Sequence, residues 1–406
     1  MKFERIGNIA KFINGAPFKP EDWHETGMNI IRIQNLTDPT KPFNRTNRKV
    51  DNKYIVKKDD VLVSWSATID VFIWGGEDAL LNQHIFKVVF DKTKVEKAYF
   101  IIALKQTIDE LTKFAHGSTM KHVVKGDFDN HKIPLPSLSD QLHIANILSQ
   151  AENLISQRKE SIQLMDEFLK STFLEMFGDP VRNEKKWNKQ ELKNCAKVRI
   201  GPFGSLLHRE DYVQNGVPLV NPSHISQGKI FIDCDLTISK EKMKELSTYV
   251  MHEGEVVLGR RGEIGRCAVV TKFEEGYLCG TGSIYIRPLK ELNPICLYNI
   301  ISSSSMRRVL ENSAKGITMK NLNSGIIENL KIPVLPIALQ TQFAQIVESG
   351  EVIKAQYQSS LQELESLYGS LSQRAFKGEL RAKDGEMMMA AEAKVNYTTK
   401  HYKEVM

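Results

Sequence analysis

The strongest constraint on this chain is a long heptad helix that occurs twice. Residues 141–177 place mostly apolar side chains alternately four and three residues apart, and the same spacing returns at 340–376. An apolar repeat of 3.5 residues is typical of a helix that packs along a partner helix as a coiled coil. At 1.5 Å per residue such a helix extends roughly 50 Å, too long for the core of one compact domain. Each stretch therefore predicts a spacer helix.

The same spacing predicts which residues form the helix–helix interface. They are Ile144, Leu148, Ile155, Ile162, Met165 and Leu169 in the first copy, and Phe343, Val347, Leu361, Leu364, Tyr368 and Leu371 in the second. Arg158 and Thr172 interrupt the stripe in the first copy, and Lys354 interrupts it in the second. We expect Ile353, which lies beside Lys354, to take over that contact.

The two helices belong to a larger internal duplication with a constant offset of 199 residues. Ile133 aligns with Ile332 and Phe177 with Phe376, and no gap is needed over some 45 residues. A repeat must be settled before other features are assigned, because it determines the architecture. The chain is therefore predicted to contain two units of about 200 residues, each a globular part followed by a long helix.

Each globular part combines short β-rich runs and turn signals with one longer helical pattern, at Ala98–Phe114 and Pro294–Asn312. This pattern predicts an α+β fold with an irregular, strongly bent sheet. The predicted domains are 1–136 and 181–335 for the globular parts, 137–180 and 336–380 for the spacer helices, and 381–406 for a tail that is mobile or weakly helical.

Composition excludes some classes and leaves others open. The chain has 406 residues, of which 41% are hydrophobic and 26% charged, and it contains no apolar run of the roughly 18 residues that a membrane helix needs. We therefore expect a cytoplasmic protein. The five cysteines contain no C-x-x-C pair and suit reduced thiols better than disulfides or a metal site. The net charge of +6 is compatible with a polyanionic partner but does not require one.

Searches for catalytic patterns mostly fail. The chain has no G-x-x-x-x-G-K-[ST] loop, and the glycines of 259–265 lie in a strand–turn–strand context that does not suit a dinucleotide site. Residues 221–224 (Asn-Pro-Ser-His) lack the second proline and the aromatic residue of an amino-methyltransferase motif. The sequence also offers no evident nucleophile or paired carboxylates. We expect a non-catalytic protein.

The repeated turns carry side chains suited to nucleic-acid binding. Arg260 and Arg261 follow one buried strand, where guanidinium groups could read guanine or clamp phosphates, although a solvated turn is an equal alternative. Ser64 and Trp65 occupy the corresponding place in the first unit. The matched pairs Thr119 with Thr318 and Lys121 with Lys320 suit phosphate contacts, which are the same for every DNA sequence. The remaining candidates are Asn35, Gln83, His84, Asn221, Ser223 and His224.

This arrangement resembles the specificity subunit of type I restriction-modification systems. The resemblance rests on Ile133-Pro134-Leu135-Pro136 with Gln141, on Ile332-Pro333-Val334-Leu335-Pro336 with Gln340, and on the segments 117–121 and 316–320. It covers about residues 1–380. Ser137 and Ala338-Leu339 depart from the usual pattern of the family.

The resemblance implies that each globular part is a target-recognition domain that binds half of a bipartite site in double-stranded DNA. The two helices would pack antiparallel as a coiled coil, set the spacing, and dock two copies of a methyltransferase subunit. S-adenosylmethionine would be bound by that partner, and ATP and Mg²⁺ by restriction subunits, while this chain would bind no cofactor. The alternatives are the specificity chain of a related type II enzyme, an enzyme with an unseen site, and a coiled-coil adaptor that does not bind DNA.

Overall fold

The computed structural model describes residues 2–113, 125–314 and 321–382. The chain forms two compact units, of which unit 1 contains Met1–Gln157 and Leu361–Met406 and unit 2 contains Arg158–Ser360. Each unit therefore includes part of both long helices. No helix within the described ranges is long and apolar enough to cross a membrane.

Within the described residues, unit 1 contains two four-stranded sheets and one two-stranded sheet. Its described strands are β1 (Phe3–Arg5), β2 (Lys11–Asn14), β3 (Met28–Ile31), β4 (Asn44–Thr46), β5 (Ile55–Val56), β6 (Val61–Ser64), β7 (Asp70–Ile73), β8 (Ala79–Leu81), β9 (Ile85–Val89) and β10 (Lys132–Pro134). The sheet orders are β2-β9-β6-β7, β4-β3-β8-β5 and β1-β10, and only the β3–β8 pair is parallel among these strands. The predicted single bent sheet is therefore divided into separate sheets.

The described helices of unit 1 are short, apart from the helix predicted at Ala98–Phe114 and the first spacer helix. They are α1 (Ile6–Ile9), α2 (Ile33–Thr37), α3 (Lys97–Lys113), α4 (Lys125–Asn130) and the first half of α5 (Leu138–Phe177), with 3-10 turns at Pro20–Asp22 and Asn52–Tyr54. Helix α3 agrees with the prediction from sequence within the described residues. One face of α3 packs in the main core of the unit, with Tyr99, Phe100 and Leu104 fully buried.

Unit 2 repeats this plan. Its strands are β11 (Lys189–Glu191), β12 (Ala196–Ile200), β13 (Tyr212–Val213), β14 (Val217–Val220), β15 (Ile225–Ser226), β16 (Lys229–Ile230), β17 (Thr237–Ile238), β18 (Val256–Gly259), β19 (Cys267–Val269), β20 (Leu278–Cys279), β21 (Ser283–Pro288) and β22 (Lys331–Pro333). The sheet β12-β21-β18-β19 corresponds to β2-β9-β6-β7, and the parallel pair β14–β20 corresponds to β3–β8. The duplication therefore extends to strand order and strand direction.

The helix predicted at Pro294–Asn312 is two helices. The helices of this unit are α6 (Lys240–Glu245), α7 (Pro294–Ser302), α8 (Ser304–Ser313), α9 (Ser324–Glu328) and α10 (Ile337–Lys377), with 3-10 turns at Leu192–Asn194, Gly204–Leu206, Arg209–Asp211, Pro222–His224 and Ser247–Tyr249. Ser303 has an extended backbone, and its hydroxyl accepts a hydrogen bond from the Met306 N–H (3.2 Å). Ser303 thus caps a new helix, which ends the first one.

The long helices end where the sequence predicts. Gly178 and Gly378, which follow α5 and α10, have φ angles of 76° and 79°, the left-handed conformation in which glycine is favoured. After α10 the Ala382 N–H donates to Asp140 Oδ1 (2.9 Å), and hydrogen bonds from Ser137 and Ala382 lower the pKa of Asp140. Residues 383–406, most of the predicted tail, lie outside the described residues.

Within each unit the two long helices run antiparallel. In unit 1 the Tyr368 hydroxyl donates to Glu152 Oε1 (2.8 Å), and the segment after α10 reaches the start of α5. In unit 2 Phe173 packs edge-on against Phe343 (5.4 Å between ring centroids), while Asp166, earlier in α5, meets Lys354, later in α10. Every predicted interface position is buried or half-buried.

The two cations in the stripe, Arg158 and Lys354, have partners across the helix pair of unit 2. Lys354 Nζ lies 2.5 Å from Asp166 Oδ1 and its side chain is only 13% exposed. Ile353 is 38% exposed, so the expectation that Ile353 replaces Lys354 at the contact is wrong. The Arg158 guanidinium lies 4.6 Å from the centre of the Tyr357 ring. An ion pair and a cation–π contact thus keep both cations in the seam.

The repeated glutamine at the start of each long helix joins the helix to its globular part. Gln141 Oε1 accepts from the Glu96 N–H (2.9 Å) at the start of α3, and its amide donates to Pro136 O (2.9 Å). Gln340 makes the same pair of bonds, to the Asn293 N–H (2.8 Å) and Leu335 O (2.8 Å). Both side chains are buried.

Replacing either glutamine with leucine is expected to reduce the free energy of unfolding by about 2–4 kcal/mol, because a backbone donor and acceptor would remain buried without partners. Gln150→Leu in α5 and Gln342→Leu in α10 are matched controls, since both side chains are exposed. Urea unfolding measures the difference. Equal stability of Gln141→Leu and Gln150→Leu would show that the buried amide bonds are not needed.

Candidate nucleic-acid interface

Three segments meet at one edge of unit 1, which we call edge 1. Edge 1 consists of residues 32–35 after β3, 64–65 at the end of β6, and 82–84 between β8 and β9. The Asn82 N–H donates to Ile31 O (3.2 Å), and the Trp65 N–H donates to His84 O (3.4 Å). Because β3 and β8 are parallel, the segments that follow them emerge on the same side.

The corresponding edge 2 of unit 2 consists of residues 221–224, 259–261 and 280–282. The Gly280 N–H donates to Val220 O (3.0 Å), and the Arg260 N–H donates to Gly282 O (3.0 Å). These bonds repeat those of edge 1 position by position. Ala67 and Gly262, which follow the two edges, both have positive φ angles, of 59° and 75°, so the turn after the central strand is also shared.

The two edges differ in how many side chains they carry. Positions occupied by Ser64, Asn82 and His84 in edge 1 are Gly259, Gly280 and Gly282 in edge 2, as the strand registers show. A Cβ on Gly280 would lie 2.2 Å from Asn221 Oδ1, and one on Gly282 would lie 2.9 Å from Pro222 Cδ. Edge 2 therefore packs residues 221–222 against bare backbone.

Three of the predicted reading residues are buried and bonded to the backbone. The Ser64 hydroxyl donates to Thr68 O and accepts from the Asp70 N–H (3.1 Å). Asn35 Oδ1 accepts from the Arg32 N–H (3.1 Å), and its amide donates to the carbonyls of residues 41 and 42. His224 Nδ1 lies 2.7 Å from Leu219 O. The hydrogen bonds of these polar groups therefore stabilise the backbone conformation of the two edges.

Other predicted residues present polar groups at the surface. Gln83, Ser223 and Arg261 are exposed, and Trp65, His84 and Asn221 are half-buried. The Trp65 indole N–H donates to Asn14 Oδ1 (3.3 Å), and its ring lies 5.4 Å from the His84 ring. Lys121, Lys320, Thr119 and Thr318 lie outside the described residues.

Arg260 is half-buried and joins the hairpin to the segment that precedes α9. Its Nε donates to Asn321 Oδ1 (3.0 Å), and its carbonyl accepts from the Leu322 N–H (3.0 Å). Burial, together with the charge of Arg261, lowers the pKa of the Arg260 guanidinium. No carboxylate lies within 4 Å of Arg260 in the described part of the chain, so this cation favours an anionic partner.

Two residues of edge 1 and its surroundings were missed by sequence reasoning. Arg32 lies directly after β3, and its guanidinium is 5.4 Å from the centre of the Trp23 ring. The alignment of Ile31 with Val220 could have identified Arg32, because it makes Arg32 the counterpart of Asn221. Trp23 gave no such signal, since its loop differs in length between the units.

The described residues contain no group of three or more His, Cys, Asp or Glu side chains that could hold a metal ion. The described cysteines are free thiols, and all but Cys234 are buried. Burial raises the pKa of the Cys267 thiol to about 12. A thiol of this kind is a packing group rather than a nucleophile.

Comparison with known proteins gives a consistent result. The sequence model for the type I restriction modification DNA specificity domain matches twice, at residues 1–164 and 184–364. The specificity subunit of the type I restriction enzyme EcoBI from Escherichia coli is 22% identical over 407 residues, 93% of this chain and 85% of the relative. The MjaVIII specificity subunit from Methanocaldococcus jannaschii is 22% identical over 403 residues, 94% of this chain and 93% of the relative.

Solved structures share the fold. The S subunit of the type I restriction-modification system from M. genitalium has a TM-score of 0.55 at 16% identity and covers 92% of this chain and 96% of its own. A chain solved in a study of assembly and conformational transition of the type I R-M system has a TM-score of 0.57 at 15% identity, with coverages of 93% and 98%. The predicted α+β fold with an internal repeat and two long helices is confirmed. With two copies of the specificity domain spanning most of its length, the chain belongs to the family of type I restriction-modification specificity subunits.

Proposed function

We propose that this chain is the non-catalytic DNA-recognition subunit of a type I restriction-modification complex. Edge 1 and edge 2 each bind one half of a bipartite site in double-stranded DNA. The long helices set the distance between the half-sites and dock two methyltransferase subunits. S-adenosylmethionine is bound in those partners, and ATP and Mg²⁺ in restriction subunits that join through them.

The observation that carries this proposal is the matched pair of edges on one repeated framework. The backbone bonds that hold Trp65 and His84 recur at Arg260 and Gly282, while the side chains differ. A shared frame with different side chains suits one recognition task applied to two base sequences, because base edges differ while the DNA backbone does not. Arg261, exposed beside the half-buried Arg260, supplies the most available guanidinium of edge 2.

Docking of two partners is supported by exposed apolar side chains at equivalent positions of the long helices. Leu154 (50% exposed) and Leu367 (49%) lie in unit 1, and Phe168 (54%) and Ile353 (38%) lie in unit 2. Each of these residues immediately precedes a residue of the apolar stripe along which the two long helices pack. Charged side chains are usual at such flanking positions of a coiled coil, so apolar ones indicate a partner surface. The internal repeat makes the two pairs equivalent, as two copies of one partner require.

Arg261→Ala is expected to weaken binding of the assembled complex to its cognate duplex about 10- to 100-fold, because one bidentate guanidinium–guanine contact contributes about 1–3 kcal/mol. The variant should also lose part of its preference for particular bases, and this loss should be confined to one half-site. Mapping methylated adenines in a strain that carries the system identifies the duplex, and fluorescence anisotropy at several salt concentrations measures binding.

Arg182→Ala is the matched control, because Arg182 is exposed on the turn after α5 and lies outside both edges. It should leave affinity and base preference unchanged. Binding that does not weaken as salt rises would contradict DNA recognition and favour an adaptor, since neutralised phosphates release counterions. Equal loss of preference in both half-sites would contradict the assignment of Arg261 to one of them.

A further inference from the structure

Arg32 and Asn221 occupy the same place in the two edges. Each residue directly follows the strand that pairs in parallel, β3 or β14, and its N–H points to the side chain three residues later. The Arg32 N–H donates to Asn35 Oδ1 (3.1 Å), and the Asn221 N–H is 3.4 Å from His224 Nδ1. Both of these side chains are buried, and His224 Nδ1 lies closer still to Leu219 O (2.7 Å), to which it can donate. A buried side chain three residues later thus contacts the backbone at this place in both units, and the side-chain chemistry of residues 32 and 221 is what differs.

The Arg32 side chain is oriented before any ligand binds. Its guanidinium lies over the Trp23 ring (5.4 Å to the centroid), and its Nη1 donates to Asn44 Oδ1 (3.2 Å). A guanidinium has five N–H donors, and Asn44 occupies one of them. Within the described ranges no carboxylate lies within 4 Å of Arg32. An aromatic face and one amide thus fix the plane of the group and leave it without a carboxylate partner among the described residues.

The surroundings of Arg32 form an open cleft at the side of edge 1. The cleft is lined by Trp23, His24, Glu25, Pro42, Phe43, Asn44 and Arg45. Two of these lining residues, Trp23 and Asn44, contact the Arg32 guanidinium. The residue before Arg32, Ile31, accepts a hydrogen bond from the Asn82 N–H, so Arg32 adjoins the segment 82–84. Gln83 is exposed on the next residue along the chain. Arg32 therefore lies within edge 1, beside polar groups that the proposed function already assigns to DNA.

A planar guanidinium held in this way matches the O6 and N7 acceptors of guanine, which accept two parallel hydrogen bonds. A mobile surface arginine serves phosphate equally well and does not need a fixed plane. We infer that Arg32 is the specificity-determining residue of unit 1 and reads a guanine in its half-site, with Trp23 as the positioning residue. This inference rests on the proposed function and names the base that one edge selects.

The test is selection from a duplex library in which both half-sites are randomised, using the full chain assembled with its methyltransferase partner. Arg32→Asn, which transplants the residue of unit 2, should reduce guanine preference about 10- to 100-fold at one base pair of one half-site. The other half-site, identified by its response to Arg261→Ala, should be unchanged. Arg32→Lys, which keeps the charge but not the fork, should also lose preference.

Trp23→Ala should reduce the same preference, and Trp23→Phe should restore part of it by retaining an aromatic face. Arg45→Ala is the control, because Arg45 is an exposed arginine in the same cleft whose Nε donates to Asn29 Oδ1 (3.2 Å). It should not alter base preference. Urea unfolding of each variant establishes that unit 1 remains folded.

Two results would overturn the inference. One is a uniform loss of affinity in Arg32→Asn with base preferences intact, restored by Arg32→Lys, which would make Arg32 a phosphate contact. The other is a unit 1 half-site without a selected guanine. A wild-type complex that enriches no bipartite sequence would instead overturn the proposed function.

Discussion

Replacing Gly201 with alanine is expected to destabilise unit 2 by about 3 kcal/mol, the upper range for overpacking a closely packed site. A Cβ at Gly201 would lie 1.9 Å from Gly280 O, and the Gly201 N–H bonds to Ser283 O (3.0 Å) on the neighbouring strand. Neither backbone can retreat without breaking the junction of β12 with edge 2. Gly15 has the same contact in unit 1, where its Cβ would lie 2.2 Å from Asn82 O.

Gly204→Ala provides the control, because a Cβ at Gly204 would meet nothing within 4 Å. The free energy of unfolding of this variant should lie within about 0.5 kcal/mol of the wild-type value. Urea denaturation read by hydrogen exchange, peptide by peptide, assigns the loss to a unit. Gly201→Ala should affect unit 2, and Gly15→Ala should affect unit 1. If Gly201→Ala and Gly204→Ala had the same free energy of unfolding, the close approach of Gly201 to the Gly280 carbonyl would be refuted.

The second large effect concerns assembly. Leu154→Asp with Leu367→Asp is expected to leave a complex with one methyltransferase subunit instead of two, and Phe168→Asp with Ile353→Asp should do the same. Placing carboxylates in a desolvated contact costs several kcal/mol, which is enough to abolish docking at that site. The fourfold variant should bind none. Native mass spectrometry of the purified complexes measures the ratio.

Leu142→Asp is the control for assembly, since Leu142 is 52% exposed on the same helix but its counterpart is Thr341 and not an apolar residue. It should keep both partners. All of these positions are exposed in the free chain, so its free energy of unfolding should change by about 0.5 kcal/mol or less. Two bound subunits in either double variant would rule out the docking surface. A 1:1 complex of the wild type would contradict the proposal of two docking sites.

Much of the fold could be predicted because its signals are local and repeated. The 3.5-residue stripe and the glycines at 178 and 378 indicate helix length and helix end directly. The 199-residue offset predicts the duplication. The division of Pro294–Asn312 into two helices was not predicted, because the cap at Ser303 competes with an apolar pattern that continues through it.

The candidate site was less predictable, because a polar residue on a loop can either hold the backbone or face a ligand. Asn35 and His224 looked like base-reading residues, but in the structure both are buried and bonded to nearby backbone. Asn35 Oδ1 accepts from the Arg32 N–H, and His224 Nδ1 lies 2.7 Å from Leu219 O. The local sequence around Arg32 carries no signal of a reading role, because Trp23 and Asn44, which orient its guanidinium, are distant in sequence. The role of each side chain depends on partners that sequence spacing does not identify.

The sequence by itself determined the duplicated architecture, the long helices and the family, since periodicity and repeats are properties of the chain read in order. Only the tertiary structure decided which side chains converge at edge 1 and edge 2, and which of them retain free donors. The physical reason is that hydrogen-bond saturation depends on long-range contacts. A buried polar group must be paired, and its partner can lie anywhere along the chain.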